Sequence, residues 1–444
     1  MIKLPASARL LTSALAMLLL DLAPAFADGD NAPAPATPEA AAKAATALLD
    51  CLSIPHDSST DAVATYEAIL RTAVPGAVFL DQAGWAARQA PSAASFYAGI
   101  DLAEDAAGTA VVSAIAPKSP AAATPLAPGD ILLSVAPSGA PTTDGHAPIS
   151  LAQARTLLAN GTEAALVISY KTPSNAVPQT LTIDRIPAPA LAIEDLPAAI
   201  GYVRLLSLSP DADAEASPLA DALLAAIADW RNRDFIGTVL DLRGLSGPVA
   251  ALPVVDAIAA ALPARVPDAP LYTLTHRMVV DEVVSAPLGR AADPDAATFP
   301  VMVLVDATTD GAAERLAALF AHSLKSALLV GRPTAGNPLL SEAYPYPENL
   351  AVDRRVVLPS ADLTFPDGAT LDGLTPLAPD IPITDAALAE PLYEPDAETI
   401  TFRARKKGTL EEEAVDRALR DRTRHDPYLR HATDILLGLR AFAR

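Results

Sequence analysis

A single cysteine, Cys51, stands in 444 residues, so no intrachain disulfide and no cysteine-based zinc or iron–sulfur motif is available. Aromatic side chains make up only 5%, and lysine occurs seven times. Basic groups are outnumbered 53 to 32 by acidic ones, giving a formal charge of −21. That field repels polyanions and excludes a nucleic-acid partner. Beyond the amino-terminal segment no apolar run approaches the ~20 residues of a membrane-spanning helix. The histidines show no His-x-x-x-His spacing, and neither a metal nor a cofactor is expected. What the chain has in plenty is small aliphatic side chains. Hydrophobic residues reach 51% against 19% charged, which excludes a disordered chain. The length implies two or three domains.

Residues 1–27 read as a signal peptide. Lys3 and Arg9 form a positive start, Leu10 to Leu20 a short apolar core, and Ala25-Phe26-Ala27 a small-x-small cleavage site. Asp21 and Pro24 interrupt the run well short of a membrane span. The sequence therefore predicts an exported protein, and a bacterial periplasm is the expected compartment.

Residues 28–92 read as an Ala/Pro-rich leader followed by a helical region, with a helix over Asp61 to Thr72. Residues 93–186 change to short strands, Ala110 to Ile115, Asp130 to Val135 and Ala165 to Tyr170, with one helix from Leu151 to Leu158 that Ser150 can cap. Residues 187–390 alternate apolar strands with helices. The strands are Ile200 to Leu206, Ile236 to Asp241, Pro300 to Val305 and Ala327 to Val330; the helices are Ala214 to Arg231, Val249 to Leu262 and Asp310 to His322. Such alternation predicts an α/β fold with a largely parallel sheet, whose chemistry sits at the carboxyl ends of the strands. Residues 391–444 read as a charged helical segment interrupted by Pro427.

Two stretches carry a recognisable pattern. Phe96-Tyr97-Ala98-Gly99-Ile100, Ala116-Pro117-Lys118-Ser119-Pro120-Ala121-Ala122 and Leu126-Ala127-Pro128-Gly129-Asp130 resemble a PDZ domain. Gly201-Tyr202-Val203-Arg204-Leu205, Asp241-Leu242-Arg243 and Asp372 to Asp380 resemble the tail-specific, or C-terminal processing, serine peptidases. The resemblance covers about residues 60–440. It implies a crotonase/ClpP-like α/β peptidase core with an inserted PDZ domain and helical segments at both ends.

The PDZ likeness implies that a peptide adds as a strand beside Gly99, Ile100, Asp101 and Leu102, against a helix face formed by Leu151, Ala154 and Leu158. The family loop carries a second glycine where this chain has Asp101, and a carboxylate there is expected to weaken capture of an anionic terminus. The peptidase likeness implies a serine nucleophile, a lysine base and a nearby glutamine. Counting forward from Asp306 or back from Glu314 places the nucleophile position at Gly311, which has no side chain. The base position, after Val330-Gly331-Arg332-Pro333-Thr334-Ala335-Gly336, is Asn337, whose amide accepts no proton at neutral pH. The glutamine position is Ser341. The turn that supplies oxyanion donors reads Gly247-Pro248, and Pro248 has no N–H.

The expected function is therefore an exported, peptidase-like protein that binds protein or peptide C-termini without cutting them, alone or with an active relative or another envelope protein. Two alternatives stand beside it. One is an active serine-type endopeptidase with a nucleophile relocated to Thr309 or Ser246. The other is a structural envelope protein that binds no peptide. Thr308, Lys325, His322 and the pair Lys406 and Lys407 are weaker candidates for a rescued site.

Overall fold

The computed structural model describes residues 60–74, 77–89, 96–105, 107–138, 148–159, 165–208, 218–276, 283–285, 299–347, 350, 352–373, 375–384 and 410–443. The expected signal peptide, the leader, Cys51, Lys406 and Lys407 lie outside these residues. The chain divides into two units. One holds the residues up to Pro75 together with Asn349–Ala351. Its described helix, Thr60–Ala73, buries Tyr66, Ile69 and Leu70, the three-and-four spacing of a single helix face.

The second unit contains everything else. Its first part is a five-stranded antiparallel sheet in sequential order: β1 (Ile100–Glu104), β2 (Ala110–Ile115), β3 (Ile131–Pro137), β4 (Ala165–Thr172) and β5 (Asn175–Asp184). Alternation sets the buried face: Leu166, Ile168 and Tyr170 are enclosed while their neighbours are partly exposed. Helix α1 (Leu151–Ala159) closes the small core, with Ala154 and Leu158 packed among Leu102, Val112 and Leu132. Ser150 caps it reciprocally. The Gln153 amide donates to Ser150 Oγ at 3.3 Å, and the Ser150 amide donates to Gln153 Oε1 at 3.2 Å. Strand β1 is the sheet's edge, and no described strand pairs with its outer side.

The second part is a mixed α/β layer structure. Its elements run β6 (Leu191–Leu196), β7 (Ile200–Leu205), α2 (Pro218–Asn232), β8 (Gly237–Asp241), β9 (Ser246–Gly247), α3 (Leu252–Ala261), β10 (Val301–Val305), β11 (Asp310–Gly311), α4 (Ala312–His322), β12 (Ala327–Gly331), β13 (Ile381–Pro382), α5 (Leu410–Thr423) and α6 (Pro427–Ala443). The main sheet has the order β13-β12-β10-β8-β7-β6, parallel throughout except for β6. All of Val301–Val305 is buried, because helices cover both faces. Val301, Val303 and Val305 belong to the core formed with α2, α3 and α4. Met302 and Leu304 belong to the opposite core, formed with Leu419, Leu429, Ala432 and Leu436 of α5 and α6.

Three details depart from the sequence-based expectation. The helix expected to begin at Asp310 begins at Ala312, because Asp310 and Gly311 pair in parallel with Ser246 and Gly247. The helix expected over Val249 to Leu262 is a short 3₁₀ turn, Val249–Ala251, followed by α3. Pro427 opens α6 instead of breaking a helix. At a first helical position its missing N–H removes no bond, and Asp426 caps the turn by accepting from the Leu429 amide at 3.0 Å.

Candidate functional site

The parallel strands β8, β10 and β12 end at Asp241, Val305 and Gly331, and the segments that follow converge there. Asp241 and Arg243 form a buried ionic knot. Arg243 grips Asp241 with Nε at 2.9 Å and Nη2 at 2.7 Å, and grips Asp426 with Nη1 and Nη2, both at 2.8 Å. The Tyr202 hydroxyl donates to Asp241 at 2.8 Å. Burial opposes ionisation of both carboxyls, but Arg243 beside them outweighs it, holding Asp241 well below its ordinary range and lowering Asp426 as well. Every charge in this knot is matched by a partner. Its work is to fix the turn between α5 and α6 to the end of the sheet.

Asp306 carries a second tie. Arg155 of α1 donates through Nη1 to Asp306 Oδ2 at 2.5 Å and to Thr308 Oγ1 at 3.3 Å. Asp306 also accepts from the Thr308 hydroxyl at 2.7 Å and the Gly244 amide at 3.3 Å. Burial works against its charge, yet Arg155 and Thr308 together keep its carboxyl below the ordinary value. The five-stranded part and the α/β part are thus joined at the strand ends.

The positions that the family resemblance assigns to nucleophile and base are brought together. Gly311 precedes α4 with φ 62° and ψ −130°, a backbone state that L side chains rarely adopt. Its N–H donates to Asp310 Oδ1 at 2.7 Å and to the Asn337 carbonyl at 3.1 Å. A Cβ placed on Gly311 would stand 2.3 Å from the Gly247 carbonyl oxygen. The space where a side chain would emerge is therefore filled by the turn expected to supply oxyanion donors. Pro248 follows on the surface, at the start of the 3₁₀ turn, without an N–H to offer.

Asn337 is held by its backbone. Its N–H donates to Glu314 Oε2 at 2.6 Å, the Gly336 N–H donates to Oε1 at 3.0 Å, and the Thr334 hydroxyl donates to the same oxygen. Glu314 is fully enclosed, and burial pushes its carboxyl up despite these donors. Ser341 lies at the start of the strand Ser341–Pro345, which pairs with Arg354–Pro359. Thr309 is buried, its hydroxyl donating to the Leu242 carbonyl at 3.1 Å, so that oxygen is committed to the turn. His322 ends α4 and pairs with Asp367 at 2.9 Å, while Lys325 follows the helix.

Beside these segments lies a cavity of about 300 Å³. Its walls are Ile100 and Leu102 of β1, Arg155 and Leu158 of α1, Arg204 to Leu206 at the end of β7, Gly244 to Ser246, and Thr308. The expected groove residues divide. Ile100, Leu102 and Leu158 line this space, whereas Gly99, Asp101, Leu151 and Ala154 do not. Ala154 is wholly enclosed in the small core and Leu151 packs against it. Gly99, at φ 83°, is backed by Ser119, whose Cβ and Oγ lie 2.0 Å from where its own Cβ would be. The Asp101 carboxylate, expected to oppose an anionic ligand, is instead paired with Arg204 Nη1 at 2.7 Å, with Arg422 Nη2 at 3.8 Å. Arg155 and Arg204 are the wall residues that sequence reasoning missed. Each meets a partner far along the chain, and no local pattern marks such pairs.

A family model, peptidase family S41, matches residues 199–383. The S41 region spans β7 to the residue after β13 and so contains the strand ends, Gly311 and Asn337. Among solved structures, the chain is similar to a photosystem II D1 C-terminal processing protease, at 20% identity and a TM-score of 0.36, over 77% of this chain and 87% of that one. It is also similar to a structure described as an S41 protease from Bacteroides fragilis, at 17% identity and a TM-score of 0.42, over 78% and 83% of the two chains. Mature CPAF matches at 12% identity and a TM-score of 0.35, over 78% and 87%. No curated protein matches the chain.

Proposed function

We propose that this S41-family chain is an exported peptide-binding protein that has lost proteolysis. It holds protein C-terminal ends on a PDZ-like module made of β1 to β5 and α1. The observation that carries the loss of chemistry is Gly311: it has no side chain, and the Gly247 carbonyl occupies the position of one. Asn337 adds to this, since its amide supplies no base. Support for peptide binding comes from the open edge of β1, where an extended chain can add main-chain hydrogen bonds, beside a cavity whose walls include Ile100, Leu102, Leu158 and Leu205. Support for export comes from the amino-terminal sequence.

The test is to incubate the purified chain with unfolded proteins bearing apolar tails and to follow both binding and cleavage. Binding with intact tails is the expected result. Turnover of the tails by the unaltered chain would overturn the reading.

One observation favours a second reading, cleavage by Ser246, because that residue lines the cavity. The titratable side chains that line the cavity with it are Tyr97 and the arginines Arg155, Arg204 and Arg243. Burial pushes the Tyr97 hydroxyl up to about 12, and guanidinium groups keep their protons, so none of these serves as a base near neutral pH. A fluorophosphonate probe separates the two readings, since labelling of Ser246 supports the enzyme and an unlabelled chain supports the binder.

A further inference from the structure

The cavity has a polar side that the strand edge of β1 leaves unused. Arg155 and Arg204 both line it, and each is fixed through one nitrogen. Arg155 Nη1 donates to Asp306 and Thr308, and Arg204 Nη1 donates to Asp101. The Nε of each is sealed inside the protein and is out of reach of any occupant. The Nη2 of each makes no hydrogen bond among the described residues and, unlike Nε, is not enclosed. A planar guanidinium held through Nη1 presents Nη2 in a fixed direction, so an acceptor meets it at little cost in ordering. The walls near the arginines are apolar, with Ile100, Leu102, Leu158 and Leu205 among them, and no Asp or Glu among the described residues lines the space.

Charge decides what kind of acceptor fits. Around this cavity four guanidinium groups, those of Arg155, Arg204, Arg243 and Arg422, pair with five carboxylates, those of Asp101, Glu194, Asp241, Asp306 and Asp426. The cations are matched with one carboxylate to spare, so an anion in the cavity would add to a negative excess where water screens poorly. A cation would face the arginines themselves. A neutral carbonyl takes the free N–H bonds and adds no charge. We infer that the cavity binds a small neutral molecule with an apolar body and an amide or ester carbonyl, its oxygen accepting from Nη2 of Arg155 or Arg204. At about 300 Å³ the space stands at the lower end of ligand pockets, roughly 300–1,000 Å³, which suits a short acyl amide or ester. This site goes beyond the peptide-binding reading: the edge of β1 takes a main chain, whereas the cavity takes a free small molecule.

Calorimetric titration of the full chain with octanamide, octanoate and octylammonium tests this, since the three share one chain and differ in charge. Octanamide is expected to bind about tenfold or more tightly than either ion, the worth of one hydrogen bond to a charged donor. Arg155→Lys and Arg204→Lys keep each positive charge and remove the Nη2 donors one at a time, and at least one of them is expected to weaken octanamide about tenfold. Leu206→Trp fills the cavity, leaves both arginines in place and is expected to abolish binding. It decides the location if an arginine variant fails to fold. No binding of octanamide by the unaltered chain overturns the site. Octanoate binding as tightly as octanamide overturns the neutral class, and unchanged affinity in Leu206→Trp or in both arginine variants overturns the placement. Peptide binding at β1 stands or falls separately, in the incubation with apolar-tailed proteins.

Discussion

Restoring the missing side chains at Gly311 and Asn337 is expected not to restore proteolysis. In Gly311→Ser the new Cβ lands 2.3 Å from the Gly247 carbonyl oxygen, so that carbonyl must retreat by about 0.7 Å to reach even a 3.0 Å contact. Retreat is resisted from several sides. β9 and β11 pair in register at this point, Gly311 is tied to the Asn337 carbonyl, and Gly247 itself packs on Ala312. Forcing extra atoms into a packed site costs about 1–3 kcal/mol. A side chain at φ 62°, ψ −130° adds roughly another 1–3 kcal/mol. The variant is therefore expected to lose several kcal/mol of stability and to present any new hydroxyl about 1 Å out of place, an error that costs on the order of 10² in rate. Adding Asn337→Lys does not repair this, because the Glu314 carboxylate holds that residue by its backbone. Thermal unfolding and hydrolysis of an apolar-tailed peptide measure the two effects in one preparation. A double variant that melts with the parent chain and turns over the peptide would refute the reasoning.

The ionic knot at Arg243 should make docking of α5 and α6 sensitive to acid. The folded pKa values of Asp241 and Asp426 lie below their unfolded values, so their contribution is complete above the ordinary carboxylate pKa of about 4 and is lost as pH falls through the folded values. The melting temperature should drop on acidification, and Asp426→Ala should lose about 3–5 kcal/mol at neutral pH and flatten the profile. Glu314 works in the opposite sense, since its raised pKa favours the folded state most at low pH and less as pH rises through it. Replacing it in Glu314→Gln turns an N–H₂ group toward donors, and is expected to cost about 1–3 kcal/mol and to speed amide exchange at Gly336 and Asn337. Leu436→Ala removes a fully enclosed side chain of α6 from the second face of the sheet, with an expected loss of about 2–5 kcal/mol in chemical denaturation.

The parts of the fold that could be read in the sequence are those with a short-range signature. Val301 to Val305 is a run of five apolar residues, and burial on both faces is what such a run demands. Ser150 announces α1 as an N-cap, and the fold completes it with Gln153. Two counts, from Asp306 and from Glu314, meet at Gly311, the position that the resemblance assigns to the nucleophile. Glu314 lies in the first turn of α4, and its carboxylate holds the Thr334 to Asn337 loop against Gly311.

What could not be read depends on residues that meet only after folding. In the sequence Asp101 stands in a glycine loop, where it reads as a charge facing a ligand. Its partner Arg204 is 103 residues away, and the pair turns an expected repulsion into a neutral wall. Arg155 meets Asp306 across 151 residues, so a helix that reads as amphipathic also carries a cation to the end of the parallel sheet. These two pairings change the functional argument. The family resemblance assigns the nucleophile and base positions to Gly311 and Asn337. In the folded chain a cavity whose walls include Ile100, Leu102, Leu158 and Leu205, and an open strand edge, stand near those positions. Both cations are accounted for by these pairings: Arg155 ties helix α1 to the end of the parallel sheet, and Arg204 neutralises Asp101, so neither buried charge is left without a partner.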